Sequence, residues 1–525
     1  MTGNNAHKYR LTWLSNLEPL AQTRTERKTG IICTLGPATN TSAGISALRK
    51  AGMNIARLNF SHGTHAYHAA TVQAVRTSVE DFVGRPIAIA LDTKGPEIRL
   101  GDLEVSAGFE VGEGAEVRLT TDPKYQAAGN PFTHGVFVDY PTLGSTVAAG
   151  QPIYVDDGNL TLVVKSISKE GDYVVTQANN AHVLLGRKGV NLPDCALDLP
   201  PVSEKDQQDL RFAVEHRLDI VFASFIRRAS DIHAIRNVLG ADGAHIQVIA
   251  KIENSEGVRN FDEILKVADG IMVARGDLGI EIPPENVFLA QKWMIAKCNL
   301  AGKAVICATQ MLESMTVNPR PTRAEASDVA NAVLDGVDCV MLSGETAKGR
   351  YPAETVAMMH RICIEAESAI AYAPLYEELC ALAHPVEDVG ETVAMAAVSA
   401  SLQSFVQAII VLTTTGSTAR LVAKYRPQVS IIAVTRTAHV ARQLHLYRGC
   451  FPFYYAADSQ AASPMKVHKS DPTQWQHDVD RRFYWAMDEA KEVGLLKPGD
   501  FVVVLQGSKG GHGNTNTLKI IPVPE

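Results

Sequence analysis

The 525-residue sequence lacks the features that mark membrane, secreted and nucleic-acid-binding proteins. No apolar run approaches the roughly 20 residues that a membrane-spanning helix needs, and the first 20 residues contain no apolar core of a signal peptide. The eight cysteines include no C-x-x-C pair, which favours reduced thiols over a disulfide framework. The net charge of −7 argues against a nucleic-acid-binding protein. We therefore expect a cytoplasmic protein with no membrane or nucleic-acid partner.

The sequence also contains no Walker G-x-x-x-x-G-K-[ST] signature, so any nucleotide site is not of the P-loop kind. It contains no low-complexity tract and no repeat with a period of 20–50 residues beyond an alternation of short apolar runs and helical patterns. What is present is typical of a globular protein: 46% of the residues are hydrophobic and 20% are charged. The length is enough for about three domains.

Eight short apolar runs, each ending in polar or glycine residues, alternate with helix-length stretches. The runs lie at 30–37, 54–63, 86–97, 219–226, 248–254, 270–279, 304–311 and 339–347. Alternation of strands and helices implies parallel strands, and eight such units predict a (β/α)8 TIM barrel. An open doubly wound sheet is the alternative that the pattern leaves.

The alternation is interrupted between about 98 and 199, where the apolar period becomes two and hairpin turns are predicted at "DDGN" (156–159) and "KEGD" (169–172). This segment predicts an inserted all-β lid domain, and the pattern after about 370 predicts a second α/β domain. The expected organisation is an N-terminal appendage at 1–24, the barrel at 25–95 and 200–370, the lid at 96–199, and a C-terminal α/β domain at 371–525.

Two charged residues interrupt the buried strand predicted at "VIAKIENSEG" (248–257). Alternate residues of a strand share a face, so Lys251 and Glu253 should point the same way, towards the functional rim at the C-terminal ends of the barrel strands. Glu253 and Asp277, at the ends of neighbouring strands, are a plausible pair of oxygen ligands for Mg²⁺. Lys251 could form a Schiff base, as in barrel aldolases, or could remain charged and stabilise a phosphoryl group in transfer. The metal pair beside it favours the second role.

Eight stretches in order then resemble the pyruvate kinase family. They are "CTLGPAT" (33–39), "ARLNFSHGTH" (56–65), "ALDTKGPEIRLG" (90–101), "RKGVNLP" (187–193), "IAKIENSEG" (249–257), "IMVARGDLGIEIP" (271–283), "ATQMLESM" (308–315) and "VMLSGETAKGRYP" (340–352). The resemblance implies transfer of the phosphoryl group of phosphoenolpyruvate to ADP, giving pyruvate and ATP in glycolysis. It also implies a barrel with an inserted lid, a C-terminal regulatory domain and a homotetramer.

The resemblance implies roles for individual residues. Lys251 matches the lysine that stabilises the phosphoryl group, Arg57 the arginine on the substrate phosphate, and Thr309 a candidate proton relay to the enolate, for which a water molecule is an equal alternative. The matched groups are Gly276, Asp277 and Thr309 for the substrate carboxylate; Glu253 and Asp277 for Mg²⁺ or Mn²⁺; Asn59, Ser61, Asp92 and Thr93 for K⁺; and Thr34, Asn59, His62, Arg99 and Lys188 for the nucleotide. Thr93, Lys94 and Glu97 match the members that require K⁺.

A further candidate site lies in the C-terminal domain. "TTTGST" (413–418) follows an apolar run and precedes a helical pattern, and hydroxyls with free backbone N–H groups at a helix start can bind an anion. In pyruvate kinases this loop holds a phosphate of a sugar bisphosphate. The resemblance therefore implies a sugar-phosphate effector, with fructose 1,6-bisphosphate expected, bound by Thr413, Thr414, Thr415, Gly416, Ser417, Thr418, Trp475 and Arg482.

Two other functions remain open on the residues. A metal-dependent lyase or aldolase would also use carboxylates on a barrel rim, but it has no use for a nucleotide clamp such as the lid. A non-catalytic sensor would not need Lys251, Glu253, Asp277 and Thr309 together. One more segment, "HVARQLHLYRG" (439–449), carries two histidines and is predicted to be a surface helix rather than a metal site.

Overall fold

The computed structural model describes residues 9–20, 26–78, 86–383, 386–403, 405–456, 472–509 and 513–525. Of the predicted N-terminal appendage, residues 1–8 and 21–24 lie outside this range. The described chain starts with alternating helices and strands: α1 (Arg10–Ser15), β1 (Gly30–Thr34), α2 (Ser42–Ala51), β2 (Ile55–Asn59), α3 (His65–Thr77) and β3 (Ala88–Asp92). Residues next to α2 in the sequence cap both of its ends. The side chain of Thr41 accepts a hydrogen bond from Gly44 N at the start, and Gly52, with φ 127°, follows the last residue of the helix.

An all-β domain is inserted after β3. Its strands are β4 (Ile98–Arg99), β5 (Phe109–Val111), β6 (Glu116–Thr120), β7 (Val136–Phe137), β8 (Pro152–Val155), β9 (Leu160–Ile167), β10 (Tyr173–Ala178), β11 (His182–Leu184) and β12 (Gly189–Asn191), with the short helix α4 (Leu143–Thr146). In the described residues they form one sheet in the order β4-β12-β8-β9-β10-β6-β7 and a separate β11-β5 pair. The pairs are antiparallel except β6 with β7. Both predicted hairpin turns are present, and Asp156 and Asp157 adopt the left-handed conformation there (φ 56° each).

The barrel resumes after the lid. Its remaining strands are β13 (Ile220–Ala223), β14 (Gln247–Ile252), β15 (Gly270–Ala274), β16 (Ala304–Ala308) and β17 (Cys339–Leu342). The accompanying helices are α5 (Glu204–Glu215), α6 (Ala229–Leu239), α7 (Ser255–Arg259), α8 (Phe261–Val267), α9 (Arg275–Glu281), α10 (Val287–Ala301), α11 (Arg323–Asp335), α12 (Gly344–Ala347) and α13 (Pro352–Ser368). Within the described residues, eight parallel strands close into a ring because β1 pairs with both β17 and β2. The TIM-barrel prediction is confirmed and the open sheet is ruled out.

The C-terminal α/β domain is built on a five-stranded sheet of its own. Its strands are β18 (Val406–Leu412), β19 (Ser430–Thr435), β20 (Cys450–Tyr454), β21 (Phe501–Gly507) and β22 (Thr515–Pro522). Its helices are α14 (Tyr372–Leu382), α15 (Val389–Gln403), α16 (Ser417–Lys424), α17 (Ala438–Gln443) and α18 (Pro472–Glu492). In the described range the strand order is β20-β19-β18-β21-β22, and only the β21–β22 pair is antiparallel.

The prediction that 439–449 forms a surface helix is wrong. Most of this segment is buried against the N-terminal end of the barrel. His445 Nε2 lies 2.7 Å from the carbonyl oxygen of Pro86, and Gln443 donates to the carbonyl oxygens of Asp219 and His245 at 3.0 and 2.6 Å. The polar side chains that suggested a solvent face instead satisfy backbone groups of the neighbouring domain.

Among the described residues, the model contains no helix with the length and hydrophobicity required to cross a bilayer.

Candidate active site

Lys251 lies at the centre of the rim formed by the C-terminal ends of the barrel strands. It follows the buried Ile249 on the same face of β14. Its ammonium group donates to Ser224 Oγ at 2.6 Å and lies 3.0 Å from Asp92 Oδ1 and 3.1 Å from Glu253 Oε1. Burial alone would lower the pKa of Lys251, but the charges of Asp92 and Glu253 raise it above its usual range. Lys251 is therefore a fixed positive charge in this structure.

Asp92 joins Lys251 to a second cation. Arg57 Nε donates to Asp92 Oδ2 at 2.6 Å, and Arg57 Nη1 donates to Thr34 Oγ1 at 2.8 Å. Burial alone would raise the pKa of Asp92, but Arg57 and Lys251 outweigh burial and hold it below its usual range. One ionised carboxylate thus aligns two positive side chains on the rim, where an anionic substrate group would be stabilised.

Glu253 and Asp277 form the carboxylate pair that the sequence predicted. Glu253 follows β14 and accepts a hydrogen bond from Phe225 N at 2.6 Å. Asp277 lies in the first turn of α9, and in the described residues no hydrogen-bond donor contacts its carboxylate. Burial, and then the charge of Glu253, raise the pKa of Asp277 to about 7.

This donor set fits a divalent cation. The mutual repulsion of the two carboxylates is what such an ion relieves, and Mg²⁺ commonly takes one or two carboxylates plus substrate oxygens. Within the described residues no group of three or more histidine, cysteine or acidic side chains is arranged to hold a metal. Two carboxylates alone leave coordination positions that substrate oxygens and water can fill, as is usual for Mg²⁺.

Gly276 and Thr309 form a close contact beside the carboxylates. A Cβ added to Gly276 would lie 2.8 Å from Thr309 Cγ2, so only glycine allows this approach. Thr309 and Gln310 both have positive φ (78° and 54°), a strained conformation that concentrates at functional sites. Arg275 Nη2 holds this loop by donating to the carbonyl oxygen of Thr309 at 2.8 Å. The first turn of α9 therefore packs directly against Thr309.

The four predicted K⁺ ligands lie together at the ends of β2 and β3. Asn59 and Asp92 are paired in register, and Asn59 Oδ1 accepts a hydrogen bond from Ser61 N at 3.1 Å. Thr93 follows directly and is buried. The group offers carbonyl, hydroxyl, amide and carboxylate oxygens, which suit a hard monovalent cation.

A cavity of about 380 Å³ lies between the rim and the lid. Three predicted nucleotide residues line it, His62 from the barrel and Arg99 and Lys188 from the lid, together with Asp277. Lys188 Nζ is paired with Asp156 Oδ1 at 2.8 Å, and Arg99 with Glu97 at 2.6 Å. The other two predicted nucleotide residues, Thr34 and Asn59, do not line this cavity, and Thr34 is buried against Arg57.

Comparison with known proteins decides the family. The family model for the pyruvate kinase barrel domain matches residues 26–356, and the model for the pyruvate kinase alpha/beta domain matches residues 391–521. The chain belongs to the pyruvate kinase family. It is therefore a phosphotransferase enzyme, and neither the lyase nor the non-catalytic sensor is supported.

Its similarity to curated pyruvate kinases extends over nearly the whole chain. It is 54% identical to the pyruvate kinase of Agaricus bisporus over 507 residues, which covers 96% of this chain and 93% of that protein. Identity to human pyruvate kinase PKLR is 53% over 513 residues, covering 96% and 86%. Identity to the pyruvate kinase of Hypocrea jecorina is 53% over 514 residues, covering 98% and 93%.

The C-terminal loop at 413–418 borders a second, smaller cavity of about 80 Å³. Gly416 has φ 82°, and its N–H donates to Thr413 Oγ1 at 3.0 Å, which shapes the turn before α16. The predicted residues that line the cavity are Thr413, Thr414, Thr415, Ser417, Thr418, Trp475 and Arg482. The structure therefore brings a loop and a helix together that lie about 60 residues apart in the sequence.

The charge beside this small cavity is positive. Asp478 accepts ion pairs from Arg436 at 2.6 Å, Arg482 at 2.9 Å and Arg481 at 3.1 Å. The guanidinium carbon of Arg482 lies 5.4 Å from the ring centroid of Trp475. Burial lowers the pKa of Arg482 to about 10, against the opposing charge of Asp478, so it remains charged at neutral pH. Of these charged groups only Arg482 lines the cavity, and Lys509 and Asp388 line it as well, so the lining side chains carry a small surplus of positive charge.

Sequence reasoning missed Ser224 and Phe225, which follow β13. Ser224 contacts Lys251 and Asp92, and Phe225 presents its backbone N–H to Glu253. A serine after the apolar run "IVFA" was a visible signal at a strand end. The backbone donor of Phe225, which has φ 55°, was not visible, because it depends on conformation rather than side-chain type.

Proposed function

We propose that Lys251, Arg57 and Thr309 carry the pyruvate kinase reaction in this enzyme, with phosphoenolpyruvate and ADP as substrates and pyruvate and ATP as products. The observation that supports this assignment most directly is the position of Lys251 between Asp92 and Glu253, with Arg57 on the same carboxylate. In the reaction the P–O bond to the enol oxygen breaks and a P–O bond to the β-phosphate oxygen of ADP forms. Such transfers depend mainly on alignment and charge stabilisation.

Each residue then has a distinct task. Arg57 binds the substrate phosphate, and Lys251 stabilises the phosphoryl group during transfer. Gly276, Asp277 and Thr309 bind the substrate carboxylate. The enolate that remains takes up a proton at its methylene carbon to give pyruvate, either through Thr309 or from a water molecule beside it.

The cations that we propose follow the donor chemistry. Glu253 and Asp277 would hold Mg²⁺ or Mn²⁺, which would supply positive charge to neutralise the substrate anion. Asn59, Ser61, Asp92 and Thr93 would hold K⁺ next to the phosphate.

The lid supplies the nucleotide side of the site in this proposal. Arg99, His62 and Lys188 line the same cavity. Thr34 and Asn59 complete the proposed nucleotide residues. Because Lys188 is paired with Asp156 in this structure, we propose that it exchanges this partner for a phosphate of the nucleotide. The lid at 96–199 would thereby close over a barrel formed by 25–95 and 200–370.

We assign the small cavity of the C-terminal domain (371–525) to a sugar-phosphate effector, with fructose 1,6-bisphosphate as the proposed ligand. The surplus of arginines around Asp478 and the hydroxyl-rich loop at 413–418 support an anionic ligand. Trp475 and Arg482 would contact the phosphate that the loop does not hold.

We further propose a homotetramer in a reducing compartment, the cytoplasm. Helix α10 exposes three large apolar side chains, Phe288 (55%), Leu289 (54%) and Trp293 (38%), on neighbouring positions, and exposed apolar patches mark interaction sites. All eight cysteines are free thiols, as expected under reducing conditions.

The reaction is tested by a coupled assay for ATP formation from phosphoenolpyruvate and ADP. We expect activity that requires a divalent cation and is abolished by its chelation. Formation of pyruvate from phosphoenolpyruvate without ATP, or no turnover with K⁺ and Mg²⁺ present, would contradict the proposal. Sedimentation at several protein concentrations tests the tetramer.

A further inference from the structure

Ser224 forms a buried bridge between two parts of the rim. Its hydroxyl accepts a hydrogen bond from Lys251 Nζ at 2.6 Å and donates to the carbonyl oxygen of Thr93 at 2.7 Å, with Asp92 Oδ1 farther away at 3.2 Å. Ser224 is only 4% exposed. A serine hydroxyl has a single hydrogen, so accepting from Lys251 leaves that hydrogen for the carbonyl of Thr93.

The backbone around Ser224 is fixed independently of its hydroxyl. Ser224 N donates to Thr93 Oγ1 at 3.1 Å, and Thr93 N donates to the carbonyl oxygen of Phe222 at 3.0 Å. Gly95 packs so closely above that a Cβ there would lie 2.9 Å from Ser224 Cβ. The hydroxyl is therefore held in one place and cannot easily be replaced by a neighbouring group.

The acceptors around Lys251 differ in their availability. Glu253 is also a proposed ligand of the divalent cation. Asp92 and Ser224 are therefore the two acceptors of Lys251 that take no part in the divalent-cation site. Asp92 is in turn shared with Arg57. Ser224 is thus the one acceptor in this group that serves Lys251 without also holding another cation.

We infer that Ser224 is a positioning residue that links the K⁺ site to Lys251. It orients the ammonium group by accepting its hydrogen bond and orients the Thr93 carbonyl by donating to it. Removing the hydroxyl disturbs both groups at once, so turnover and K⁺ affinity fall together. This inference rests on the proposed roles of Lys251 and of the K⁺ ligands.

The test compares Ser224→Ala and Ser224→Cys with the wild-type enzyme. Cysteine fills the space of serine but is a weak hydrogen-bonding group, so both variants should show the same defect. We expect kcat to fall by roughly 10- to 100-fold, the loss typical of one hydrogen bond to a charged group. We also expect binding of Tl⁺, used as a K⁺ probe in equilibrium dialysis without substrate, to weaken by about tenfold. The KM for ADP should change by less than about twofold, because His62, Arg99 and Lys188 line a cavity that Ser224 does not line.

Ser78→Ala is the matched control. Ser78 is also buried, donates to a carbonyl oxygen (Val75, 2.6 Å) and accepts from a cation (Arg49, 3.3 Å), but it follows α3 at the opposite end of the barrel. This variant should retain wild-type kcat and Tl⁺ binding. Calorimetry checks that all variants unfold cooperatively.

Three results would overturn the inference. They are unchanged Tl⁺ binding and kcat in Ser224→Ala, wild-type behaviour of Ser224→Cys, and an equal loss in Ser78→Ala. Failure of the proposed function is separable, because it would appear in the wild-type enzyme as absence of K⁺ activation or in Lys251→Met as retained turnover.

Discussion

Replacing Lys251 by methionine removes the charge at the centre of the rim and keeps an unbranched side chain of similar length. The ammonium group has three acceptors within 3.1 Å, on Asp92, Glu253 and Ser224. Loss of one preorganised electrostatic stabiliser costs roughly 10²- to 10³-fold in kcat, or about 2.7–4 kcal/mol. We expect Lys251→Met to lose at least this much.

The same variant should still fold and bind a divalent cation. Asp92 retains Arg57 at 2.6 Å, and Glu253 retains the N–H of Phe225 at 2.6 Å. Removing one partner of a buried ion pair costs about 3–5 kcal/mol when it leaves the other charge unpaired. Since Asp92 remains paired, we expect a smaller loss of stability, visible as a lower Tm.

The assay measures pyruvate formation at saturating phosphoenolpyruvate and ADP, with Mn²⁺ binding followed in parallel by electron paramagnetic resonance. Lys124→Met is the control, because Lys124 forms an exposed ion pair with Asp122 in the lid at 2.6 Å; its kcat should stay within about twofold of wild type. Retained turnover in Lys251→Met would refute the electrostatic role. Borohydride trapping of pyruvate on Lys251 of the wild-type enzyme would instead establish Schiff-base chemistry.

Three further predictions concern the cations and the effector. Because the rim offers oxygen ligands for a monovalent cation, the enzyme should be activated by K⁺; full activity in K⁺-free tetramethylammonium buffer would contradict this. Divalent-cation binding without substrate should strengthen as pH rises through about 7, because the pKa of Asp277 is raised to about 7 and the ion displaces its proton. Calorimetric titrations between pH 5.5 and 8 measure this, and a pH-independent affinity would count against it. Fructose 1,6-bisphosphate should lower the half-saturating phosphoenolpyruvate concentration, and Arg482→Gln should remove that response while sparing kcat; identical wild-type curves with and without sugar phosphates would show that the site has no regulatory role.

Raising the pH should lower the stability of the cation-free enzyme through Asp277, although it should strengthen cation binding at the same carboxylate. In the cation-free enzyme, Asp277 has a folded-state pKa of about 7, above its usual value of 3.8. Its ionisation therefore disfavours the folded state, so the contribution of Asp277 to stability falls as pH rises from about 4 to about 7. A saturating divalent cation should remove this dependence.

Much of the fold followed from local pattern. Each barrel strand is a short apolar run flanked by a helical pattern, and eight such units in order predict a barrel. Closure itself depends on the pairing of β1 with β17, which local pattern does not decide. The shared face of Lys251 and Glu253 was predicted because the side-chain period of a strand is two, whatever the tertiary contacts are. The apolar run at 270–279 predicts that "GDLG" (276–279) ends a strand. In the structure α9 begins at Arg275 instead, so Asp277 lies in the first turn of a helix.

Other features could not be predicted, because they depend on which distant segments meet. Ser224 acquires a role only when β13 lies between β3 and β14. The small cavity of the C-terminal domain forms only because the 413–418 loop and α18 face each other.

The sequence by itself determined the strand–helix alternation, the all-β insertion, the family and the residue types on the rim, since these are properties of neighbouring residues and of short motifs. The tertiary structure alone decided which polar groups are satisfied by protein and which are left for ligands. His445 is a polar residue of a type common on protein surfaces, yet it is buried. Asp277 is mostly buried as well, but no hydrogen-bond donor contacts its carboxylate among the described residues. The physical reason is that the cost of burying a polar group depends on the partners that folding brings to it, and those partners come from other parts of the chain.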